Sequence, residues 1–353
     1  MSLPTTLLRP LRSLRPSPLR PPLPASTLLP PALVQPNLNP PPQRRPSSHS
    51  PLSPTTPSRL KPITLPHLLT LYRRSEPITV LTAHDFPSAY VASTSGIEVL
   101  LVGDSLAMVA MGLDDTVSLT LDDMILHCKS VARGAGGCFT VGDLPMGSYE
   151  VSGAQALESA IRLVKEGGMM GVKLEGGVEV KEQIQRITGA GISVLGHVGL
   201  TPQRQNALGG FRVQGKTVAG AVKLLEDALA VQEAGAFGMV LEAVPAEVAE
   251  MVTRRLRVPT IGIGAGAGCS GQVLVQVDMG GNFPPGRFLP RFVKKYGDVW
   301  GEMTRATKEY IDEVKSRTYP AKEHTYPIRE EELRAIEKAL DERDQQVGEK
   351  GEL

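Results

Sequence analysis

Three carboxylates occupy corresponding places in a repeating pattern of short apolar runs: Asp104 in EVLLVGDS, Asp143 in CFTVGDLP and Glu175 in MMGVKLEG. Hard oxygen donors in that number suit Mg²⁺, which keeps part of its octahedron for water or substrate oxygens. Two such open positions would take a 2-oxo acid through its carboxylate and keto oxygens. Lys173 precedes Glu175 by two residues, so on an extended strand both side chains share one face. A lysine there can neutralise a substrate carboxylate, or hold the ligand carboxylates in place as a salt bridge. Glu242 closes another apolar run, VLEAVP. Desolvation in such a setting raises a carboxyl pKa toward what a general base needs near neutral pH. The bland alternative is a structural carboxylate accepting hydrogen bonds. His197, in ISVLGHVG, can donate to a substrate oxygen or orient a neighbouring ligand from behind.

These residues need elements to bring them together. Eight runs recur from residue 78: 78–85, 98–105, 138–145, 169–176, 192–199, 239–245, 259–266 and 271–278. Between most of them lie longer amphipathic stretches, among them 121–133, 153–166 and 218–234. Near-continuous apolar strands alternating with helices imply a parallel sheet covered by helices, and eight units of this size fit a (β/α)8 barrel. A doubly wound open sheet is the alternative, but no G-x-G-x-x-G follows the first run. In such a barrel, chemistry gathers where strands end. Asp85, Asp104 with Ser105, Asp143, Lys173 with Glu175, His197 and Glu242 all fall at or near those ends. Asp85 alone is explained by capping the next helix. Converged carboxylates on several strands are not, because they repel unless a cation or proton sits among them. Glu242 is placed across the barrel from the carboxylate group. The glycine run GIGAGAG (262–268) lacks a P-loop's G-K-[ST] and reads as a tight turn, or as a floor for a flat or anionic ligand.

Composition bounds the rest. All 37 acidic residues and 28 of the 38 basic ones lie from Glu76 onward in a chain of 353. An acidic body of this kind argues against nucleic acid as a partner. No apolar run reaches the ~18 residues of a membrane span. Cys128, Cys138 and Cys269 form no paired spacing, which argues for buried thiols rather than disulfides or a zinc site. Residues 1–60 are rich in proline, serine and arginine and free of acid, the composition of a mitochondrial transit segment; without such an address the protein would be cytoplasmic. The expected organisation is a disordered leader (1–60), a catalytic barrel (61–328) and a charged helical tail (329–353). In that tail Leu333, Ile336 and Leu340 form a narrow stripe on an otherwise solvated helix.

Several strings carry a resemblance. GDSLAM (103–108), GLDDTVSLTLDDM (112–124), DLPMGSY (143–149), VKLEGG (172–177), GHVGLTPQ (196–203), GGFRVQGK (209–216), LEAVP (241–245), GIGAG (262–266) and YPAKEHTYP (319–327) occur in one order. Together they resemble the ketopantoate hydroxymethyltransferase family over about residues 63–327. The resemblance implies a (β/α)8 barrel of the phosphoenolpyruvate/pyruvate type, assembled as a homodecamer. It implies transfer of a one-carbon unit from 5,10-methylenetetrahydrofolate to 3-methyl-2-oxobutanoate, giving 2-dehydropantoate (ketopantoate) in pantothenate synthesis. By motif, Asp104, Asp143 and Glu175 correspond to the magnesium shell. Asp104, Ser105, Asp143 and Lys173 correspond to the oxo-acid site, and Glu242 to the proton acceptor. The chain departs from the pattern at Ala107, where a glycine is expected, and at Ser270, where an acid is expected. It also has no histidine directly before Asp278. A lyase or mutase of the same barrel superfamily, acting on another 2-oxo acid, is the rival reading. Such enzymes use a rim cysteine or additional rim arginines, and neither is evident in the sequence. A catalytically dead barrel kept for assembly is a third reading, and the intact acidic set speaks against it.

Overall fold

Every one of the eight apolar runs contains a strand, and the strands close on one another in sequence order, all parallel. The computed structural model describes residues 61–351, so the leader 1–60 lies outside the described residues. The strands are β1 Ile78–Thr82, β2 Val99–Val102, β3 Phe139–Asp143, β4 Gly171–Glu175, β5 Ser193–Gly199, β6 Gly238–Glu242, β7 Thr260–Ile263 and β8 Gly271–Leu274. Register is continuous around the ring, and β8 pairs back onto β1 with Gly271 opposite Ile78. The open-sheet alternative is thereby excluded.

Helix α1 (Leu65–Arg73) precedes the barrel and inserts Leu68 among Ile78, Val80, Leu101 and Val141 in the barrel interior. Helix α2 (Phe86–Thr94) starts at Asp85, whose carboxylate accepts the Ser88 N–H at 2.9 Å. Capping is therefore what Asp85 does. A four-residue helix α3 (Leu106–Val109) follows β2 directly. The amphipathic stretches become α4 (Leu121–Gly134), α5 (Gly153–Lys165) and, after α6 (Lys181–Gly189) and the short α7 (Gln205–Leu208), α8 (Val218–Glu233). Thr120, Ser152 and Thr217 cap α4, α5 and α8 through their hydroxyls. The helical faces of α4, α5, α6 and α8 bury Met124, Leu163, Ile184 and Val231 against the outward-facing strand residues Val102, Val172, Val194 and Met239. Close approach there requires glycine at Gly196, where a Cβ would overlap Val231 of α8.

Helix α9 (Ala246–Thr253) follows β6. The last apolar run ends early. Its first half is β8, and its second half turns into α10 (Gln276–Gly280), because the Gln276 N–H donates to Thr82 Oγ1 and the Gln276 side-chain amide donates to the Ser88 carbonyl. Two long helices complete the described chain. Helix α11 (Val299–Ser316) has no buried residue, and α12 (Glu330–Gly351) exposes Leu333, Ile336 and Leu340 along its charged surface. Among the described residues no helix is long and apolar enough to cross a membrane. The three cysteines are free, with Cys128 and Cys138 buried and Cys269 half-buried.

Candidate active site

Asp143, Glu175 and Glu242 are the final residues of β3, β4 and β6, and Asp104 stands two residues beyond β2. Strand register sets the contacts. Lys173 is the Cα partner of Asp143, and Glu175 that of His197. Asp104, Asp143, Lys173, Glu175 and His197 are all buried, whereas the Glu242 side chain is 17 % exposed. The desolvation that the sequence suggests for Glu242 is thus incomplete, since the residue looks into an open cavity. That cavity, of about 1150 Å³, spans the C-terminal end of the barrel and is lined by every one of these groups and by Ser105.

The contacts within it are specific. Asp143 Oδ2 accepts the Asp104 N–H at 2.9 Å and lies 3.0 Å from Lys173 Nζ. Lys173 Nζ is also 3.2 Å from His197 Nδ1. The same His197 nitrogen is 3.3 Å from Glu175 Oε1, and Nε2 approaches Glu242 Oε2 to 3.1 Å. The second approach is close but poorly aligned, and Nε2 makes no well-formed hydrogen bond. It is a contact of charge rather than of direction. His197 thereby links Glu242 to the carboxylate group, so these groups are not separated across the barrel as the sequence suggests.

A residue without charge holds the group together. Gln203, in a 3-10 turn after β5 and 2 % exposed, donates through Nε2 to Asp104 Oδ2 at 2.9 Å and to the Leu144 carbonyl at 3.0 Å. Its backbone N–H donates to Glu175 Oε2 at 3.1 Å. Its Oε1 accepts from the buried Tyr149 hydroxyl at 2.7 Å, and burial raises that hydroxyl's pKa so that it stays a donor. Gln203 belongs to the string GHVGLTPQ, but nothing in the sequence alone assigns it this task.

Burial is the largest influence on Asp104, Asp143, Lys173 and His197. It raises the pKa of Asp104, aided by the charge of Glu175 and opposed by Lys173. It lifts Asp143 to about 6 even though Lys173 pulls the other way. For Lys173 burial favours the neutral form, but Asp143, Asp104 and Glu175 outweigh it and raise the pKa. For His197, burial and the Lys173 charge both oppose protonation, yet Glu175 and Glu242 prevail and carry the pKa to about 9. The folded-state value lies above the ordinary 6.5, so His197 contributes stability that is fully present below pH 6.5 and lost as pH rises through 9. Metal-free enzyme is expected to lose on the order of 3 kcal/mol of unfolding free energy over that window through this group. Urea melts from pH 6 to 10 on the wild type and on His197→Asn would measure it. Equal pH slopes for the two proteins would remove His197 from this role.

The donors fit a hard divalent cation. Asp143 Oδ1 is a buried oxygen with no hydrogen-bond partner, and Glu175 Oε1 has no well-formed hydrogen bond beyond the 3.3 Å approach of His197 Nδ1. Such atoms cost stability unless a cation, water or proton satisfies them. Among the described residues no group of three or more His, Cys, Asp or Glu side chains is placed closely enough to hold a metal ion as it stands. What the protein offers is buried carboxylate oxygens at one end of the barrel, beside a cavity with room for water, and hard oxygen donors are the type that Mg²⁺ takes.

Other sequence readings resolve differently. Ser105, at the start of α3, faces the cavity. His84 lies 3.6 Å from Asp85, and its carbonyl contacts His127 Nδ1 at 2.5 Å, so neither histidine joins the site. Gly264 and Gly266 of GIGAG both line the cavity, and the space their missing side chains leave is filled by protein. Gly264 has φ +64°, and a Cβ there would stand 2.7 Å from the Phe292 ring, while Gly266 abuts Ala246. Ser270 lies at the N-terminal end of β8, where it exchanges hydrogen bonds with Thr260, so its departure from the expected acid is remote from the cavity. Rim arginines, not evident in the sequence, are present: Arg212, Arg287 and Arg291 all line the cavity.

A closed parallel barrel with its ionisable cluster at the C-terminal rim defines a TIM-barrel enzyme. The family model described as ketopantoate hydroxymethyltransferase matches residues 62–322, and the chain belongs to that family. It is 62 % identical over 328 residues to the 3-methyl-2-oxobutanoate hydroxymethyltransferase of Emericella nidulans, an alignment covering 92 % of this chain and 94 % of that one. The enzyme of the same name from Oleidesulfovibrio alaskensis is 52 % identical over 260 residues, covering 74 % and 89 %. An Arabidopsis thaliana relative, named as 3-methyl-2-oxobutanoate hydroxymethyltransferase 1, mitochondrial, is 50 % identical over 266 residues, covering 74 % and 77 %. Among solved structures, oxaloacetate acetylhydrolase bound to oxalate aligns with a TM-score of 0.50 at 14 % identity, covering 82 % of this chain and 100 % of that one, and shares the fold. The chain is therefore an enzyme, a hydroxymethyltransferase of pantothenate synthesis.

Proposed function

We propose that the enzyme takes its one-carbon unit from 5,10-methylenetetrahydrofolate and, with Mg²⁺ bound, converts 3-methyl-2-oxobutanoate into a carbon nucleophile. The observation that supports this most is the buried Asp143 Oδ1, which has no hydrogen-bond partner and lies beside Lys173 and within one cavity shared with Glu175 and Glu242. Asp104, Asp143 and Glu175 would hold the magnesium ion. When bound, that ion supplies positive charge beside the oxo group and so acidifies the substrate's C3 proton. Lys173 and Ser105 meet the substrate's oxygens, with Lys173 anchored on Asp143. Glu242 removes the C3 proton, with the His197 ring as the neighbouring charge beside its carboxylate. The resulting carbon bonds to the donor's methylene as one of the two methylene–nitrogen bonds breaks, and water then replaces the second nitrogen, which leaves with a proton. With uptake of water, the products are 2-dehydropantoate and tetrahydrofolate.

The remaining assignments follow the same reading. Catalysis resides in residues 61–328, between the leader (1–60) and the charged tail (329–353). The mitochondrial names of the plant relatives and the acid-free leader support import into mitochondria. Assembly as a homo-oligomer, a decamer in the family, rests on the resemblance.

Exchange of the substrate's C3 proton into D₂O tests the chemistry without the donor. Chelator-treated enzyme is expected to exchange only after Mg²⁺ is restored, and to do so in the absence of folate. Exchange that persists at full rate without a divalent ion would refute the magnesium assignment.

A further inference from the structure

The cavity is larger than a small branched oxo acid can fill. At about 1150 Å³ it exceeds the ~300–1,000 Å³ typical of sites for drug-sized ligands. The ionisable cluster occupies only its floor. Its mouth is made by two loops from different parts of the chain. One, after α7, carries Phe211 and Arg212; the other, after α10, carries Phe288, Arg291 and Phe292. Phe211 is 55 % exposed and Phe288 85 % exposed, which leaves two aromatic faces open to solvent beside the site. Arg287 is committed to Asp278 at 3.0 Å. Arg212 and Arg291, by contrast, meet no carboxylate within 4.0 Å among the described residues. Glu247 is the acidic residue contributed to this wall by α9. Flat apolar faces next to unpaired guanidinium groups suit a ligand that joins planar rings to carboxylates.

We infer that Phe211, Arg212, Phe288 and Arg291 form the subsite for the one-carbon donor. The aromatic faces would meet the donor's ring system, and the two guanidiniums its terminal glutamyl carboxylates. The inference rests on the folate reading above and deepens it. It assigns the oxo acid to the floor and the carrier to the mouth, so the methylene is delivered from the open side onto the carbon that Glu242 has deprotonated. It also gives the chain a preference that the floor residues cannot supply. Donors with more glutamyl carboxylates bind more tightly, and the advantage shrinks as salt screens exposed charge.

Steady-state kinetics with mono- and polyglutamyl 5,10-methylenetetrahydrofolate test this on the full-length wild type, Arg212→Gln, Arg291→Gln and the double variant. Each single change is expected to raise the KM for the polyglutamyl donor roughly threefold to tenfold. The monoglutamyl KM should move less. The C3 proton exchange of the oxo acid without folate should stay at the wild-type rate, which shows that fold and floor are intact. Phe288→Ala should raise the KM for both donors. An unchanged donor KM in the double variant overturns the subsite. So does a loss of exchange that parallels the loss of transfer. A wild type that exchanges the C3 proton but transfers no carbon from any folate overturns the donor reading itself, and this is seen before any variant is made.

Discussion

In Glu242→Gln, exchange of the C3 proton of 3-methyl-2-oxobutanoate into D₂O is expected to fall by about 10²–10⁴-fold, the usual contribution of a positioned base. Overall transfer should fall with it. The change is isosteric, and glutamine keeps an oxygen for the 3.1 Å approach of His197 Nε2, so the wall of the cavity stays in place. Binding of the oxo acid, proposed to be held on the Lys173 side of the floor, should change by less than about threefold. Proton NMR in D₂O gives the exchange rate, and isothermal titration with the same sample gives the affinity. Exchange at the wild-type rate would take Glu242 out of the reaction. A large loss of affinity with an unchanged rate at saturation would make it a binding residue instead.

Lys173→Met should be the most damaging single change to the fold of the site. The ammonium is 4 % exposed and stands among Asp143, Asp104 and Glu175. Removing it leaves Asp143 buried with no cation at 3.0 Å. Breaking a buried pair from one side costs about 3–5 kcal/mol, which for a chain of this size is a fall of about 6–20 °C in Tm. Asp143, already raised to about 6 by burial against the pull of Lys173, should then hold its proton to higher pH. The variant should therefore melt closest to the wild type in acid and diverge from it as pH rises through neutrality, because only the ionised carboxylate suffers from the missing partner. Calorimetry at pH 5 and pH 8 separates the two regimes. A uniform loss at both would mean that lost packing, not lost charge, dominates.

The barrel was legible because its strands are buried on both faces, so each appears as an uninterrupted apolar run. The same logic placed Asp104, Asp143, Glu175 and Glu242, since a charged residue stands out where such a run stops. The eighth run misleads because alternating valines continue past Leu274, while Gln276 is captured by Thr82 and Ser88 from the first βα unit. No local pattern can announce a partner so far away in the chain. Gln203 was illegible for a related reason. It has no charge, and its importance lies in contacts with Asp104, 99 residues away, and with Tyr149 and Glu175. The same applies to the rim arginines, since nothing in GGFRVQGK or in the segment 283–293 shows that the two loops share one mouth.

The seat of Phe292 on Gly264 constrains how the catalyst can change. Because a single methyl on that glycine would collide with the ring at 2.7 Å, the seventh strand fixes the height at which the neighbouring loop rides. Retooling the enzyme toward a different carbon carrier therefore has little freedom on the strand side. Variation is better tolerated at Phe211, which is 55 % exposed and precedes the point where its loop is tied to the Ala243 carbonyl through the Gln214 N–H, so libraries aimed at new donors should be built there first.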